Sequence, residues 1–447
     1  MKVSVYGSGL TGLVTACALA DVGNDVAVIC CDNSNFDKNS DDKNTAEKLQ
    51  NAVIGFEEPG LNQKLTNQLA SGRLHITADV KKGFHHGQVH FIALSSDQLD
   101  HAKVLLSQLA KEISSTITVV NQSTFPVGSA TRLKALMCEL QEQRGVIPDI
   151  HVLALPSLLQ EGAAIANFVR PQRILVGADD DWGLRLLTDL LRPFNRNHDQ
   201  LIVMSTKAAE FTKYAINGML ATKLSFMNEM ANLADQLEVD IEQVRQGVGS
   251  DPRIGYDYIY PGCGFGGLSF SEDLISLART VEDKVEDSFL LKTVLDTNEQ
   301  QKEVLFRKLW RYWDTELKGK TIALWGGAFK PNTDSIDNAP SLLLMEALWA
   351  QGVHIRLYDP KALPKFQEYF GDRKGLTLCA SAYEAVDGVD ALMIVTEWKE
   401  FWSPDFDLLG KLMNERLIFD GRNLFDPSYM KQLGFRYFGI GRSSEFV

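Results

Sequence analysis

The chain is 447 residues long, carries 45 Lys and Arg against 58 Asp and Glu for a formal net charge of −13, and is 45% apolar. That length is too great for one ordinary core and predicts two or three globular domains. The acidic balance lacks the basic footprint of a nucleic-acid binder, although backbone amides at a helix N-terminus bind phosphate without any net positive charge. No apolar run reaches membrane-spanning length, so no membrane association is expected. "MKVSVYGSG" reads as a strand and not as a signal peptide. Cys17, Cys30, Cys31, Cys138, Cys263 and Cys379 lack the spacing of a zinc site or a disulfide framework. Reduced thiols in the cytoplasm, with no metal, are the expectation.

In chain order, "KVSVYGSGLTGLVTACALADVGNDVAVICCD" predicts a strand, a glycine turn, an amphipathic helix and a second strand. That is the opening unit of a dinucleotide-binding fold. Residues 33–52 are polar and rich in Asp, Asn and Lys, and read as an exposed loop or insertion. Apolar runs at 89–94, 116–121 and 150–154 continue the strand series, and "NFVRPQRILVG" adds another before a helix from Asp181. From about 206 to 243 the pattern becomes long-helical, and a further helix covers roughly 288–311. A second α/β block opens with "KGKTIALWGGAF", where Gly326 and Gly327 follow a strand, and runs through "VHIRLYDPKA", "ALMIVTEW" and "RLIFDGRN". The predicted fold class is therefore α/β, with two Rossmann-like doubly wound domains joined by a central helical region. The expected boundaries are 1–204, 205–312 and 313–447.

"GSGLTG" fits G-x-G-x-x-G at Gly7, Gly9 and Gly12, with Leu10 and Thr11 between the last two. Alone this is a weak pattern, since α/β folds hold glycine turns without ligands. Directly after a strand and opening a helix, it becomes strong. The glycines let the backbone approach a pyrophosphate on the helix N-terminus. The fingerprint also wants a carboxylate about twenty residues on to hold the ribose hydroxyls, and Asp32 is the candidate by spacing. Asp32 shares a strand face with Cys30 but lies one pleat further along. No Arg or Lys follows until Lys38, so NAD and not a 2′-phosphate cofactor is indicated.

"GSGLTGLVTACALADVGNDV", "FEEPGL", "STFPVGS", "EFTKYAINGMLATKLSFMNE", "RIG…PGCGFGG", "GGAFKPNTDSI…APS", "YDPKA", "IVTEW" and "DGRNLFDP" stand in one order along the chain. Together they resemble the UDP-glucose/GDP-mannose dehydrogenase family, and within it the UDP-glucose 6-dehydrogenases, over essentially the whole sequence. The resemblance implies an N-terminal NAD domain, a central dimerisation region and a C-terminal UDP-sugar domain. It also implies oxidation of a sugar C6 alcohol to a carboxylate by two hydride transfers to NAD. In that chemistry a cysteine thiolate captures the intermediate aldehyde and water later hydrolyses the thioester. A thiol suits both steps, being easily ionised and a good leaving group.

Carried over by position, Lys213 and Asn217 would bind the reacting end of the sugar and its oxyanion, sharing a helix face at i and i+4. Asp273 would position water, and Thr124 of "STFPVGS" and Glu161 would belong to the catalytic set. Lys330 and Ser96 would lie on the cofactor side. Arg253, reaching across a dimer, would contact the sugar with Phe265, Gly266 and Arg422. For Lys213 taken alone, a solvated helix lysine is the simpler reading.

The departures from the family pattern gather where chemistry and cofactor belong. "GGLSFSED" puts Ser269 at the nucleophilic cysteine and Glu272 at a lysine. Ser157 stands for the catalytic glutamate, Cys30 for the first aspartate of the second strand, and Asp337 for an arginine. "FIALSSD" brings Ser95, Ser96 and Asp97 to the cofactor side. A serine needs an adjacent base to act as a nucleophile, and Glu272 would disfavour an alkoxide. Cys263, six residues earlier, gives no reason to reach the same point. Unless Asp32 compensates, the lost carboxylate and the added Asp337 weaken NAD by about two to three orders of magnitude. Two readings follow: a nucleotide-sugar dehydrogenase with an altered site, or an inactive homologue that binds UDP-sugar. The second would act as a homodimer, or beside an active paralogue, in polysaccharide biosynthesis.

Overall fold

Eight strands form the sheet of the N-terminal part: β1 Lys2–Tyr6, β2 Asp25–Ile29, β3 Leu74–Thr77, β4 Val89–Ile92, β5 Ile117–Asn121, β6 Ile150–Ala154, β7 Ile174–Gly177 and β8 Leu201–Met204. Their order is β3-β2-β1-β4-β5-β6-β7-β8, all parallel except the β6–β7 pair. Six more strands form a second, wholly parallel sheet in the order β11-β10-β9-β12-β13-β14. They are β9 Thr321–Trp325, β10 His354–Tyr358, β11 Leu376–Leu378, β12 Ala391–Ile394, β13 Leu417–Asp420 and β14 Arg436–Phe438. The computed structural model describes residues 1–32, 40–147, 149–196, 200–285 and 289–443. It divides into compact units Met1–Ala215 and Ile216–Val447.

Parallel sheets need cover on both faces, so their strands are continuously apolar. Successive residues of β1 serve opposite faces: Val3 and Val5 enter one apolar cluster and Tyr6 the other. In both sheets the strand order reverses beside the first strand, between β1 and β4 and between β9 and β12. A crevice at the carboxyl ends of the strands is expected at each reversal, and a glycine turn sits at each.

Three helix expectations change. Residues 40–50, read as part of a loop, are the helix Ser40–Gln50. Its composition is polar, yet Asp42, Ala46 and Leu49, at i, i+4 and i+7, are buried on one face. Gln50 secures it by donating to the Ile76 carbonyl at 2.8 Å. The remaining residues to 39, Lys38 included, lie outside the described ones. The long-helical stretch ends as Thr206–Leu237, because Glu238 adopts a φ of +55°. Asp240 then caps a new helix, Ile241–Ser250, by accepting the Glu242 amide at 2.9 Å. The stretch 288–311 divides at Glu303, whose amide bonds Gln300 three residues back, giving Leu290–Lys302 and Val304–Tyr312. Residue 288 lies outside the described residues.

Candidate active site

The three glycines after β1 differ in what their missing side chains allow. Gly7 has a φ of +119°, and a Cβ there would meet the Ala93 carbonyl oxygen at 2.2 Å. At Gly12 a Cβ would meet the Gly7 carbonyl oxygen, also at 2.2 Å, so the helix sits directly on the turn. Around Gly9 nothing lies within 4 Å of that position. A ligand can therefore approach the backbone there. The helix Leu10–Asp21 has no side-chain cap and no acid in its first turn, so its N-terminus is left for an anion.

Asp32 folds back onto this turn. Its carboxylate accepts the Ser8 amide at 3.1 and 3.2 Å and makes a further short bond with the Ser8 hydroxyl. Its carbonyl accepts from the Gln98 side chain, and Gln98 in turn accepts the Ser95 amide at 2.9 Å. Cys30 and Cys31 point into the core at 1% exposure each. Burial first, and the Asp32 charge second, push the Cys30 thiol up to about 12. The open turn and a carboxylate beside it fit the ribose–pyrophosphate portion of a dinucleotide.

The glycine turn after β9 is closed. A Cβ at Gly327 would meet the Phe366 ring at 2.3 Å, and one at Gly326 would meet Thr396 at 2.4 Å. Asp359 of "YDPKA" is buried, and its carboxylate takes the Gly327 and Ala328 amides at 2.8 and 3.0 Å. The protein's own anion thus fills the second anion cradle. Of the two turns, only the first is built for a dinucleotide.

Elsewhere in the N-terminal unit, Ser157 Oγ lies 3.5 Å from Thr11 Oγ1, so the segment after β6 reaches the dinucleotide turn. The Thr124 carbonyl accepts from the Tyr214 hydroxyl at 3.2 Å. Ser96 is half-buried beyond β4, and Glu161 is half-buried just before the helix Ala164–Val169. Buried Glu58 takes the Gly162 and Ala164 amides at 2.6 and 2.8 Å, fixing the backbone after Glu161. Glu210 does the same for the helix Ser129–Gln143, through the Gly128 and Ala130 amides at 2.6 and 2.8 Å. Burial holds the Glu210 carboxyl above its ordinary value despite these bonds. Lys213 is half-buried, one turn before Asn217 on the same helix.

In the C-terminal unit the loop 261–267 is braced by side chains. The Gly262 amide donates to Asn228 at 2.8 Å, and the Gly262 carbonyl accepts from Gln301 at 2.7 Å. Asn298 takes both backbone groups of Phe265, at 2.9 and 3.0 Å. Gly266 packs against the Asn338 carbonyl oxygen, 2.5 Å from where a Cβ would be. The loop delivers the helix Leu268–Lys284, in which the Asp273 carboxylate accepts from the Asn217 amide at 2.7 Å, both residues buried. Arg422 donates to the Val395 carbonyl at 2.6 Å, with Glu397 at 3.1 Å and the Gly264 carbonyl at 3.5 Å. Burial opposes its charge, but Cys263, Glu397 and Asp420 more than offset that. Arg253 is exposed and pairs with Asp251 at 2.6 Å. Lys330 lies 5.3 Å over the Phe329 ring. Asp337 is exposed and accepts from the Ser335 hydroxyl at 2.9 Å.

Ser269 is exposed in the first turn of its helix, and among the described residues nothing hydrogen-bonds its hydroxyl. The unit's one histidine, His354, is engaged on β10 with the Thr377 hydroxyl at 2.9 Å. Cys263 is no substitute nucleophile. Its thiol lies against the Val395 carbonyl at 3.7 Å in the apolar core, and burial raises its pKa.

Family models for UDP-glucose/GDP-mannose dehydrogenases match three consecutive blocks. These are the NAD binding domain over residues 1–195, the central domain over 207–300 and the UDP binding domain over 323–427. The UDP-glucose 6-dehydrogenase of Pseudomonas aeruginosa is 41% identical, over 99% of this chain and 98% of its own. The chain belongs to the UDP-glucose/GDP-mannose dehydrogenase family. Another relative, the UDP-glucose 6-dehydrogenase of Rhizobium meliloti, is 32% identical over 99% of this chain and all of its own. The UDP-glucose dehydrogenase structure from Pyrobaculum islandicum superposes with a TM-score of 0.85 at 28% identity, covering 99% and 98% of the two chains.

For a UDP-glucose/GDP-mannose dehydrogenase family member, the residues that sequence reasoning missed are the braces. Glu58 and Glu210 lie inside the quoted stretches "FEEPGL" and "EFTKY", but nothing in their spacing names the amides they hold. Asn228, Asn298 and Gln301 are scattered over two helices that converge on one loop.

Proposed function

We propose that this chain binds a dinucleotide and a UDP-sugar, as its family does, and does not carry the sugar C6 alcohol through to the carboxylate. The observation that carries the reading is the Ser269 hydroxyl, which no described residue hydrogen-bonds. A serine without a base stays protonated and is a poor nucleophile toward an aldehyde. Glu272 adds negative charge three residues along the same helix. The braced loop 261–267, the Asn217–Asp273 pair and Arg422 support retained UDP-sugar affinity, and the open turn at Gly9 with Asp32 supports retained NAD affinity. On this reading Asp32 supplies the ribose carboxylate that position 30 has lost.

Calorimetry with UDP-glucose, and nicotinamide reduction followed with UDP-glucose and NAD together, test the reading. Saturable UDP-glucose binding without UDP-glucuronate formation is the expected result. Sustained release of that acid would overturn it.

A partnering role is supported by a separate feature. Along Thr206–Leu237, Phe211, Met219, Phe226, Leu233 and Leu237 are each 48–63% exposed. At this spacing they occupy about a quarter of the helix circumference. Such a stripe suits pairing with a second copy or with an active paralogue.

A further inference from the structure

The C-terminal unit contains a polar cavity of about 480 Å³ whose lining shares no residue with the candidate site. One wall is the helix Val304–Tyr312, which presents Arg307, Lys308 and Arg311. Asp235 and Gln236, from the end of Thr206–Leu237, face them. Asp235 is the one acid in the lining and is taken up by Lys308 at 2.5 Å, each side chain 15% exposed. Arg307 gives one N–H to the Gln300 carbonyl at 2.8 Å and lies 3.6 Å from Glu303, a half-exposed residue outside the lining. Arg311 has no hydrogen bond or ion pair among the described residues. Burial lowers the pKa of both Arg307 and Lys308, and each feels Arg311 as further repulsion. Within the lining three cations face one acid; with Lys308 matched by Asp235 and Arg307 by Glu303 from outside the lining, Arg311 leaves the cavity an unmatched positive charge on a chain of net charge −13.

We propose that this cavity is a binding site for a phosphate-bearing small molecule, with Arg307 and Arg311 as its principal contacts. A phosphate anion is drawn to that residual charge, and guanidinium groups suit its oxygens because each offers paired N–H donors in a fixed fork. Gln236 adds an amide donor. Tyr312 adds a hydroxyl whose oxygen already accepts from Arg436 at 2.6 Å, leaving its proton to give. The proposal is independent of what the glycine loop binds.

Calorimetric titration of the full chain with inorganic phosphate, at constant ionic strength and with UDP-glucose saturating, tests it. One phosphate per chain is expected, weakened about tenfold or more in Arg307→Gln/Arg311→Gln, since each lost charge-assisted contact is worth ~1.5–3 kcal/mol. UDP-glucose binding by the double variant should equal that of the parent, which shows that the fold is intact. Glucose 1-phosphate run in parallel separates the sources: tighter binding than phosphate marks a sugar phosphate as occupant, and weaker binding marks the free ion. No phosphate binding, equal affinity in the double variant, or displacement of phosphate by UDP-glucose would overturn the assignment.

Discussion

On the proposed reading, oxygen in place of sulfur at position 269 is the first of three linked changes. The thiol route needs an ionisable nucleophile, a proton-transfer group and a local charge that tolerates the anion. Ser269, Ser157 and Glu272 stand at those three positions by resemblance, and the Ser157 hydroxyl lies 3.5 Å from that of Thr11. Ser269→Cys alone should therefore form no acid beyond a trace. Ser269→Cys with Ser157→Glu and Glu272→Lys should restore it, as product analysis after incubation with UDP-glucose and NAD would show. Robust acid from the single variant would mean that the other two changes are harmless. Asp32 gives a second test. Its carboxylate accepts two contacts from the Ser8 amide in the open turn. Asp32→Asn should weaken NAD by about tenfold or more, from the loss of charge-assisted contacts of ~1.5–3 kcal/mol each, while leaving UDP-glucose affinity unchanged in calorimetry.

Loop 261–267 is an element held in place by side chains of neighbouring helices. Asn298 satisfies both backbone groups of Phe265, and Asn298→Ala would leave an N–H and a C=O without their partner. Each such group costs about 1–3 kcal/mol, so the variant should unfold at lower denaturant and bind UDP-glucose more weakly. Unchanged affinity with the stability loss would separate the brace from the site. Elements of this kind are legible in a sequence to different degrees. The turn at Gly7, Gly9 and Gly12 is legible because strand, turn and helix are contiguous, although the close approach that requires Gly7 comes from the distant Ala93 and Gly9 is crowded by nothing. The helix Ser40–Gln50 is hidden because three buried positions sit within a polar composition. The contact of Asp32 with Ser8 depends on how the chain bends after β2, which spacing alone leaves open. Closure of the second glycine turn needs Asp359 and Phe366, thirty or more residues away in sequence.

At the scale of the molecule, one architecture appears twice with opposite outcomes. Both sheets reverse strand order beside a glycine turn, but Asp359 and Phe366 fill the second while Gly9 leaves the first open. The family models, which assign NAD to the N-terminal block and UDP to the C-terminal one, accord with that difference. Among the exposed apolar side chains are the stripe on Thr206–Leu237 and, on the edge strand β8, Ile202 and Val203 at 45% and 49% exposure. Large apolar side chains spaced along one helix face gain by removal from water, about 1.5–3 kcal/mol for each one fully buried, and a second copy of the stripe would supply that cover. Phe226 and Leu233 lie one heptad apart near its centre, so Phe226→Glu/Leu233→Glu places four charges in a symmetric contact. Light scattering after size exclusion should show the parent as two chains and the variant as one. Circular dichroism should be unchanged, since both side chains are about half exposed in the single chain. A parent that elutes as one chain would remove the homodimer and leave the stripe for a different subunit.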